Sequence, residues 1–509
     1  QGGITVLGAV TSDSKVGGGA FSNAIQSLIG RVNYDFAGKY LITATVRRDG
    51  SSRFNPANRW GTFPSASVGW RVSEEAFMKG IRAVSDLKIR ASYGITGNQE
   101  IPNYQFLPTL TNVANYVFGG QVVTGVTIKD AFNSNIKWEQ TAQTDIGLDL
   151  GLFDNRLVLT TDYFIKRTTG MLVQVPLPNS VSFGLGGPFD NSTAIGPFVN
   201  NGIVDNRGLE VALTYRKNTG RFTYSLSGNF TTIENKLVSL GEGQPRINGV
   251  TRTEPGQPIG YIYGWVKEGI FQSVEEVTAK NTKPEIDPAT GQQKVVNGVP
   301  QFTPYQPGAQ PGDVIFKDID GDGVITDRDR TRIGSPFPKY SYGFTANAGY
   351  ANFDLSVMLQ GIGGVDIYNG MGVFLTGIYR PYNASTAALD RWTETNPTND
   401  MPRAVSGDPN NNARISDRFV ENGAFMRIKN LTLGYNVPAA GLESWSKGAV
   451  SSVRLYATAQ NLLTFTKYSG FDPEKGANGE PSVANTQRGI DGGTFPQARV
   501  ILVGLQLGF

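Results

Sequence analysis

No cysteine and no histidine occur among the 509 residues. Without cysteine there is no disulfide framework and no thiolate metal site. Without histidine the usual general base, the common catalytic triads and most zinc sites are excluded. No run of about eighteen apolar residues exists, so a transmembrane helix is excluded too. Charge of one sign is also scarce. The 46 Lys and Arg nearly balance 43 Asp and Glu, and the signs are interspersed, so nothing points to nucleic acid. Gln1 opens the chain without Met or a leader pattern, which reads as a processed chain or a fragment.

Alternation is abundant. At the end of the chain Ile501, Val503, Leu505, Leu507 and Phe509 fall on one face, and Val500, Leu502, Gly504, Gln506 and Gly508 on the other, because successive strand side chains point oppositely. One face is wholly apolar and closes on an aromatic. About ten such residues cross a bilayer at a tilt. Val503, Leu505 and Phe509 are therefore expected to face lipid, and Gly504 and Gln506 an interior. The same period recurs at 87–94, 143–152, 208–215, 222–231, 353–360 and 453–460, and about thirteen strands are expected in all. Asp145, Asp149, Asp162 and Glu210 lie on the mixed faces. They are expected to hydrate a lumen or pair with Lys88, Arg90 and Arg454, rather than serve as acid and base.

The connections alternate as well. Short turns at 37–38, 154–155, 218–220 and 351–352 are separated by long segments at 97–138, 166–206, 234–339, 361–424 and 466–497. Parity puts the medium links 73–86 and 436–452 on the short-turn side. Short turns at one end and long loops at the other mark outer-membrane barrels. The loops, rich in Asn, Gly, Pro and Ser, show no packed-core period. Tyr34, Phe36, Tyr40, Phe153, Tyr215, Phe222, Tyr350, Phe353, Tyr435 and Phe509 gather beside the short turns, as an interfacial girdle would. A soluble sandwich or propeller also alternates. Its strands are usually nearer five or six residues, and its turns do not alternate short and very long.

The first strand, 28–36, and the last both run toward the short turns. An odd number of up-and-down strands does not close a standard bacterial barrel. The expected fold is therefore all-β: the C-terminal portion, 26–509, of a larger transmembrane antiparallel up-and-down β-barrel, with 1–25 as an outer-loop remnant and no plug domain.

The longest loop holds one metal-type motif. Asp318, Asp320 and Asp322 stand at positions 1, 3 and 5 of a calcium loop, Gly323 at 6, Val324 at 7 and Asp329 at 12. Three side-chain carboxylates, the Val324 carbonyl and Asp329 would supply oxygens to Ca²⁺. Asp329 is shorter than the usual bidentate Glu, which predicts weak binding. No helical pattern brackets the loop, so a structural clip is expected, not a switch. The glycines 17–19 follow no strand and open no helix, so they are not a phosphate loop. Residues 383–394 have an N-cap candidate and helical spacing, and predict a short loop helix.

Four segments carry a family resemblance: GRVNYDFAGKYLITATVRRDGSSRF (30–54), PGDVIFKDIDGDGVITDRDRTRIGSPFPKYSYGF (311–344), FMRIKNLTLGYNVP (425–438) and RLYATAQNLLTFTKYSGFDPE (454–474). Together they resemble the barrel of SusC/RagA-type TonB-dependent transporters, from about residue 25 to Phe509. The resemblance implies a 22-stranded barrel in the outer membrane of a Bacteroidota-type bacterium. It implies a SusD-like surface lipoprotein as lid, a glycan or peptide as substrate, and energy from TonB–ExbB–ExbD acting on a plug. It also implies that Phe509 is the signal read by the barrel-assembly machinery. The N-terminal extension, TonB box, plug and first strands of the family have no counterpart here. The competing functions are a passive porin and a barrel-borne enzyme. A porin needs no clipped loop of such length, and an enzyme without histidine retains only carboxylate or lysine chemistry.

Overall fold

Alternating β-branched and aromatic residues build thirteen long strands, and these pair in chain order into one antiparallel sheet. They are β1 (Ile25–Phe36), β2 (Tyr40–Ser51), β3 (Trp60–Arg71), β4 (Val84–Asn98), β5 (Glu139–Leu152), β6 (Leu157–Thr169), β7 (Ile203–Lys217), β8 (Phe222–Thr232), β9 (Tyr340–Tyr350), β10 (Phe353–Gly363), β11 (Phe425–Asn436), β12 (Ser452–Thr466) and β13 (Val500–Gly508). The computed structural model describes residues 22–128, 131–176, 195–241, 244–380, 382–438, 441–442, 449–475 and 486–509. Most of the expected outer-loop remnant, and the glycines 17–19, lie outside them.

Register carries the alternation across the sheet. Val84, Leu152, Leu157, Tyr215, Leu226, Ala346, Val357, Leu431, Ala459 and Ile501 form one row through ten strands. A parallel row on the opposite face reads Arg71, Lys88, Asp149, Thr160, Ala212, Asn229, Gly343, Gln360, Arg427 and Thr464. A one-residue slip anywhere would exchange the faces, and none occurs. The local bulge between Ile428 and Asn430 absorbs one residue without mixing them. Leu505 pairs with Leu455 on the apolar face, and Gln506 with Arg454 on the polar face, as expected.

Two aromatic belts bound the apolar face. At the short-turn end Phe36 stacks on Tyr40 at 6.4 Å, Phe222 packs against Tyr224 at 5.4 Å, and Phe353 against Tyr435 at 4.9 Å. At the other end Phe230 lies 5.8 Å from Tyr340. Phe222 and Phe230 are eight residues apart on β8, about 27 Å along the strand, which suits an apolar band between two interfaces. The β1–β2 turn places Ala37 and Gly38 at φ 56° and 66°, with Gly38 N–H donating to Asp35 Oδ1 at 2.7 Å. Left-handed residues of this kind suit the tight three-residue connection between Phe36 and Tyr40.

Among the described residues β1 pairs only with β2, and β13 only with β12. No described helix is long and apolar enough to cross a membrane.

The long connections do pack, contrary to expectation. Phe271, Tyr305, Val314, Ile315, Phe316 and Ile325 form one buried cluster in segment 234–339. Phe54, Phe63, Ile136, Trp138 and Phe198 form another over the ends of β2–β5. Several of their strands are only three or four residues long, such as Val314–Phe316 and Tyr261–Gly264, too short for a period to register, although Leu110–Phe118 and Gln121–Ile128 pair as a longer hairpin. A second departure follows β8. The chain leaves β9 at Ile233, and Glu234–Ser239 stays paired with β7 alone. The expected helix at 383–394 is a 3₁₀ turn, Thr386–Asp390, capped by Ser385.

Candidate functional site

The calcium-type loop runs between the rim strands Val314–Phe316 and Thr331–Gly334. It gathers the carboxylates of Asp318, Asp320 and Asp322, whose ligand oxygens lie within 4.8 Å of one another. Oxygens about 2.3–2.6 Å from one Ca²⁺ are at most about 4.6–5.2 Å apart, so this spacing is compatible with one shared ion. Asp318 accepts from Gly321 N and Gly323 N, both at 2.7 Å. Asp320 accepts from Asp322 N at 3.1 Å, and Asp322 from Val324 N at 3.0 Å. Gly321 and Gly323 sit at φ 75° and 79°, the left-handed region that the folded-back loop requires.

Asp329 reaches Asp318 but is not one of the three that share this spacing. It is fully buried, and its Oδ1 accepts from Ile319 N at 2.9 Å, its Oδ2 from Thr326 N at 2.6 Å. It closes a capping box on the turn Asp327–Asp329. Two cations already neutralise the cluster. Arg328 reaches Asp320 at 3.1 Å and Asp322 at 2.6 Å, and Lys283 reaches Asp322 at 3.0 Å. The donor set is all oxygen and fits a hard cation, with Arg328 and Lys283 as its competitors.

Burial opposes the charge on Asp318, and the Gly323 and Gly321 amides outweigh it, so the carboxyl is held below its usual range. Asp322 is held low chiefly by Lys283, with burial opposing. A depressed folded value gives stability that is complete above the unfolded value, about 3.9, and lost as pH falls through the folded one. Exchange protection of the Gly321 and Gly323 amides is therefore expected to persist down to about pH 4. Loss of protection near neutrality would assign the loop's order to other groups.

On the polar face Lys88 and Arg90 meet Asp149 and Asp162 as expected, while Arg454 meets Asp354 and Asp145 accepts from Ser92 instead; two of these bridges share one design. Arg90 of β4 reaches across β5 to Asp162 of β6 at 2.5 Å, touching Asp149 at 3.2 Å on the way. Arg454 of β12 reaches across β11 to Asp354 of β10 at 2.5 Å. In each case a glycine lies beneath the bridge. A Cβ at Gly147 would fall 2.5 Å from Asp162 Oδ1 and 2.6 Å from Arg90 Cζ, and one at Gly434 would meet Asp354 and Arg454 likewise. Gly147→Val is expected to part Arg90 from Asp162 and destabilise the sheet by roughly 1–3 kcal/mol, as overpacking does. Urea unfolding in lipid vesicles measures it.

The rim is fastened by polar groups that spacing alone does not reveal. Asp313 is fully buried and receives Arg403 in a fork, Nε at 2.8 Å and Nη2 at 3.0 Å. Asn412 donates to Asp313 at 2.9 Å, and Asn410 and Gln306 continue the network. These bonds join segment 234–339 to segment 361–424. Beside them Arg330 lies between the rings of Tyr263 and Trp265, at 4.5 and 5.0 Å, and Arg414 between Trp265 and Phe316, at 5.1 and 4.3 Å. Trp265 Nε1 also donates to the Thr326 carbonyl at 2.9 Å, which ties the carboxylate loop to this stack. Burial lowers the Arg414 guanidinium to about 10, still charged at neutral pH. The last long connection folds back against the wall, where buried Arg427 binds Asp472 at 2.6 Å and Glu474 at 2.8 Å. The amide-rich run 408–412 was the available signal, and by composition it reads only as loop.

A sheet apolar on one face and polar on the other, belted by aromatics and capped at one end by packed loops, is the wall of a membrane-spanning β-barrel. The family profile described as "TonB dependent receptor-like, beta-barrel" matches residues 8–462. The chain belongs to that family. It is 35% identical over 500 residues to TonB-dependent receptor P3 of Formosa agariphila, covering 95% of this chain and 45% of the relative. It is 32% identical to TonB-dependent receptor SusC of Bacteroides thetaiotaomicron, covering 96% of this chain and 44% of that one. The chain thus spans somewhat less than half the length of these curated relatives. A solved structure described as the RagAB peptide transporter superposes with a TM-score of 0.75 at 26% identity, over 96% of this chain and 48% of that one. The family and these relatives are transporters and receptors, which agrees with the expectation that the chain is not an enzyme.

Proposed function

We propose that this chain is barrel wall and outer rim of a SusC-like importer that takes bulky nutrients, glycans or oligopeptides, across the outer membrane of a Bacteroidota-type bacterium. The observation that carries the reading is the two-faced sheet whose edge strands are both open among the described residues. Unpaired backbone groups in lipid each cost several kcal/mol. Thirteen alternating strands also leave β1 and β13 parallel, so they cannot close on each other in the even, antiparallel manner of bacterial barrels. Further strands must meet both edges, and a 22-stranded barrel with a plug in its lumen meets that need. A SusD-like surface lipoprotein rests on the packed rim as a lid, and TonB–ExbB–ExbD supplies the energy through the plug. Phe509 is read by the barrel-assembly machinery. The likeness to the RagAB peptide transporter supports the peptide class, and the glycan class rests on the family resemblance.

Purification of the native complex, with identification of every chain, tests this. A plug and a lipoprotein are expected, with uptake that stops when the inner membrane is de-energised. A closed, plugless barrel made of this chain alone, conducting ions in a planar bilayer without an energy source, would establish a porin instead.

The same reading includes one structural Ca²⁺ held by Asp318, Asp320, Asp322, the Val324 carbonyl and Asp329, whose carboxylate also accepts from the loop's amides. Because Arg328 and Lys283 compete, affinity is expected on the order of 10⁻⁴–10⁻³ M. Calorimetric titration of the purified protein should give one site in that range. Asp320→Ala should abolish it and leave the barrel folded. Equal calcium uptake by the variant would remove the site.

A further inference from the structure

On the polar face, where β4, β5, β6 and β7 reach the rim, a cavity of about 300 Å³ opens. Asn98, Glu139, Thr168 and Asn206 line it from the four strands, and rim residues roof it, among them Met171, Phe198, Ile259 and Phe337. Its size is at the small end for ligand sites, room for one or two side chains of a larger solute.

The cavity looks polar by composition, but most of its polar groups already have partners, the Glu100 carboxylate meeting Arg53 at 3.4 Å among them. Asn98 Nδ2 donates to Glu139 Oε1 at 3.1 Å, and Asn98 Oδ1 accepts from Glu100 N at 2.9 Å. Glu139 Oε2 accepts from Leu172 N at 2.8 Å. Asn235 Nδ2 donates to Asn206 Oδ1 at 2.7 Å, and Asn235 Oδ1 accepts from Ile259 N at 2.9 Å. The Thr168 hydroxyl pairs with that of Thr141 at 2.8 Å. Nor is Phe337 free as a platform for a sugar ring, because the Arg488 guanidinium lies 5.5 Å from its centroid. A hydroxyl-rich ligand buried here would exchange water for few partners, which is unfavourable. An apolar side chain loses nothing and gains contact with Met171, Leu172, Val204 and Ile259.

We infer that this cavity is a subsite for an apolar side chain of an oligopeptide. The inference rests on the import reading and narrows it from glycans or peptides to peptides.

The test uses the complete native complex and three probes: a glycine–serine octapeptide with one central leucine, the same peptide with serine there, and a linear glucose octasaccharide. Equilibrium dialysis is expected to show the leucine peptide binding roughly tenfold more tightly than the serine peptide, or better. The octasaccharide should displace neither. Met171→Trp fills the cavity, and Val173→Asn, on its wall, makes it polar. Each should reduce the leucine peptide to the affinity of the serine peptide and leave the latter unchanged. Equal binding of the two peptides by the unaltered complex would overturn the subsite, as would a preference that survives both variants. Binding of the octasaccharide in place of the peptides would overturn it while leaving import intact. A complex whose solute uptake is independent of inner-membrane energy would remove both readings.

Discussion

Arg403→Ala is expected to release the rim while the barrel wall stays folded. The substitution leaves Asp313, fully buried, without the fork that neutralises it. Removing one partner of a buried pair costs about 3–5 kcal/mol, because the other charge remains uncompensated. Asn412 and the Gln310 amide still reach Asp313 at 2.9 Å, but neither brings positive charge. The loss should be local. Segments 234–339 and 361–424 would part, and limited proteolysis should cut them while the strands stay protected. Replacing both partners at once, Arg403→Met with Asp313→Leu, should recover most of the stability, since an apolar pair of similar volume is often neutral or better. If Arg403→Ala leaves the rim as resistant as before, other contacts hold the two segments together.

Leu505→Arg is expected to impair assembly far more than Gln506→Arg. The two residues are neighbours on β13 and differ only in face: Leu505 pairs with Leu455 in the apolar row, and Gln506 with Arg454 beside the lumen. An arginine on the lipid face near the bilayer centre costs roughly 2–4 kcal/mol, and on the lumen face little. Folding yield into lipid vesicles measures the difference directly. Equal yields would mean that the face assignment is reversed or that β13 does not face lipid.

Strand positions and faces were legible because long strands repeat a two-residue period many times. β10, with Phe353, Leu355, Val357 and Leu359 set against Asp354, Ser356, Met358 and Gln360, could be assigned from pattern alone. The lumen pairing of Arg90 was legible in kind but not in detail. Parity places it on the same face as Asp149 and Asp162, yet only register shows that it passes over Gly147 to the second strand. The rim was not legible. Three-residue strands such as Val314–Phe316 repeat no period, and a core assembled from segments a hundred residues apart leaves no local mark. The carboxylate loop illustrates the limit of spacing. Position 12 of the pattern marks Asp329, and what spacing did not show is that its carboxylate is buried beside Asp318 and accepts from three backbone amides. A residue at the right interval has the right reach, but which way it points is decided by the packing around it.

The two bridges over glycine have a geometric consequence. Strands two places apart in a sheet are separated by roughly 9.6 Å. Side chains on the convex surface of a curved sheet splay apart, and those on the concave surface converge. Arg90 can meet Asp162, and Arg454 can meet Asp354, most readily where the sheet is hollowed toward them. Each bridge therefore acts like a chord across an arc. Flattening the wall would stretch it, and tightening the wall would press it onto the glycine below. Fixed in two arcs, β4–β6 and β10–β12, such chords favour one radius, so the sequence of this wall biases its curvature as well as the order of its staves.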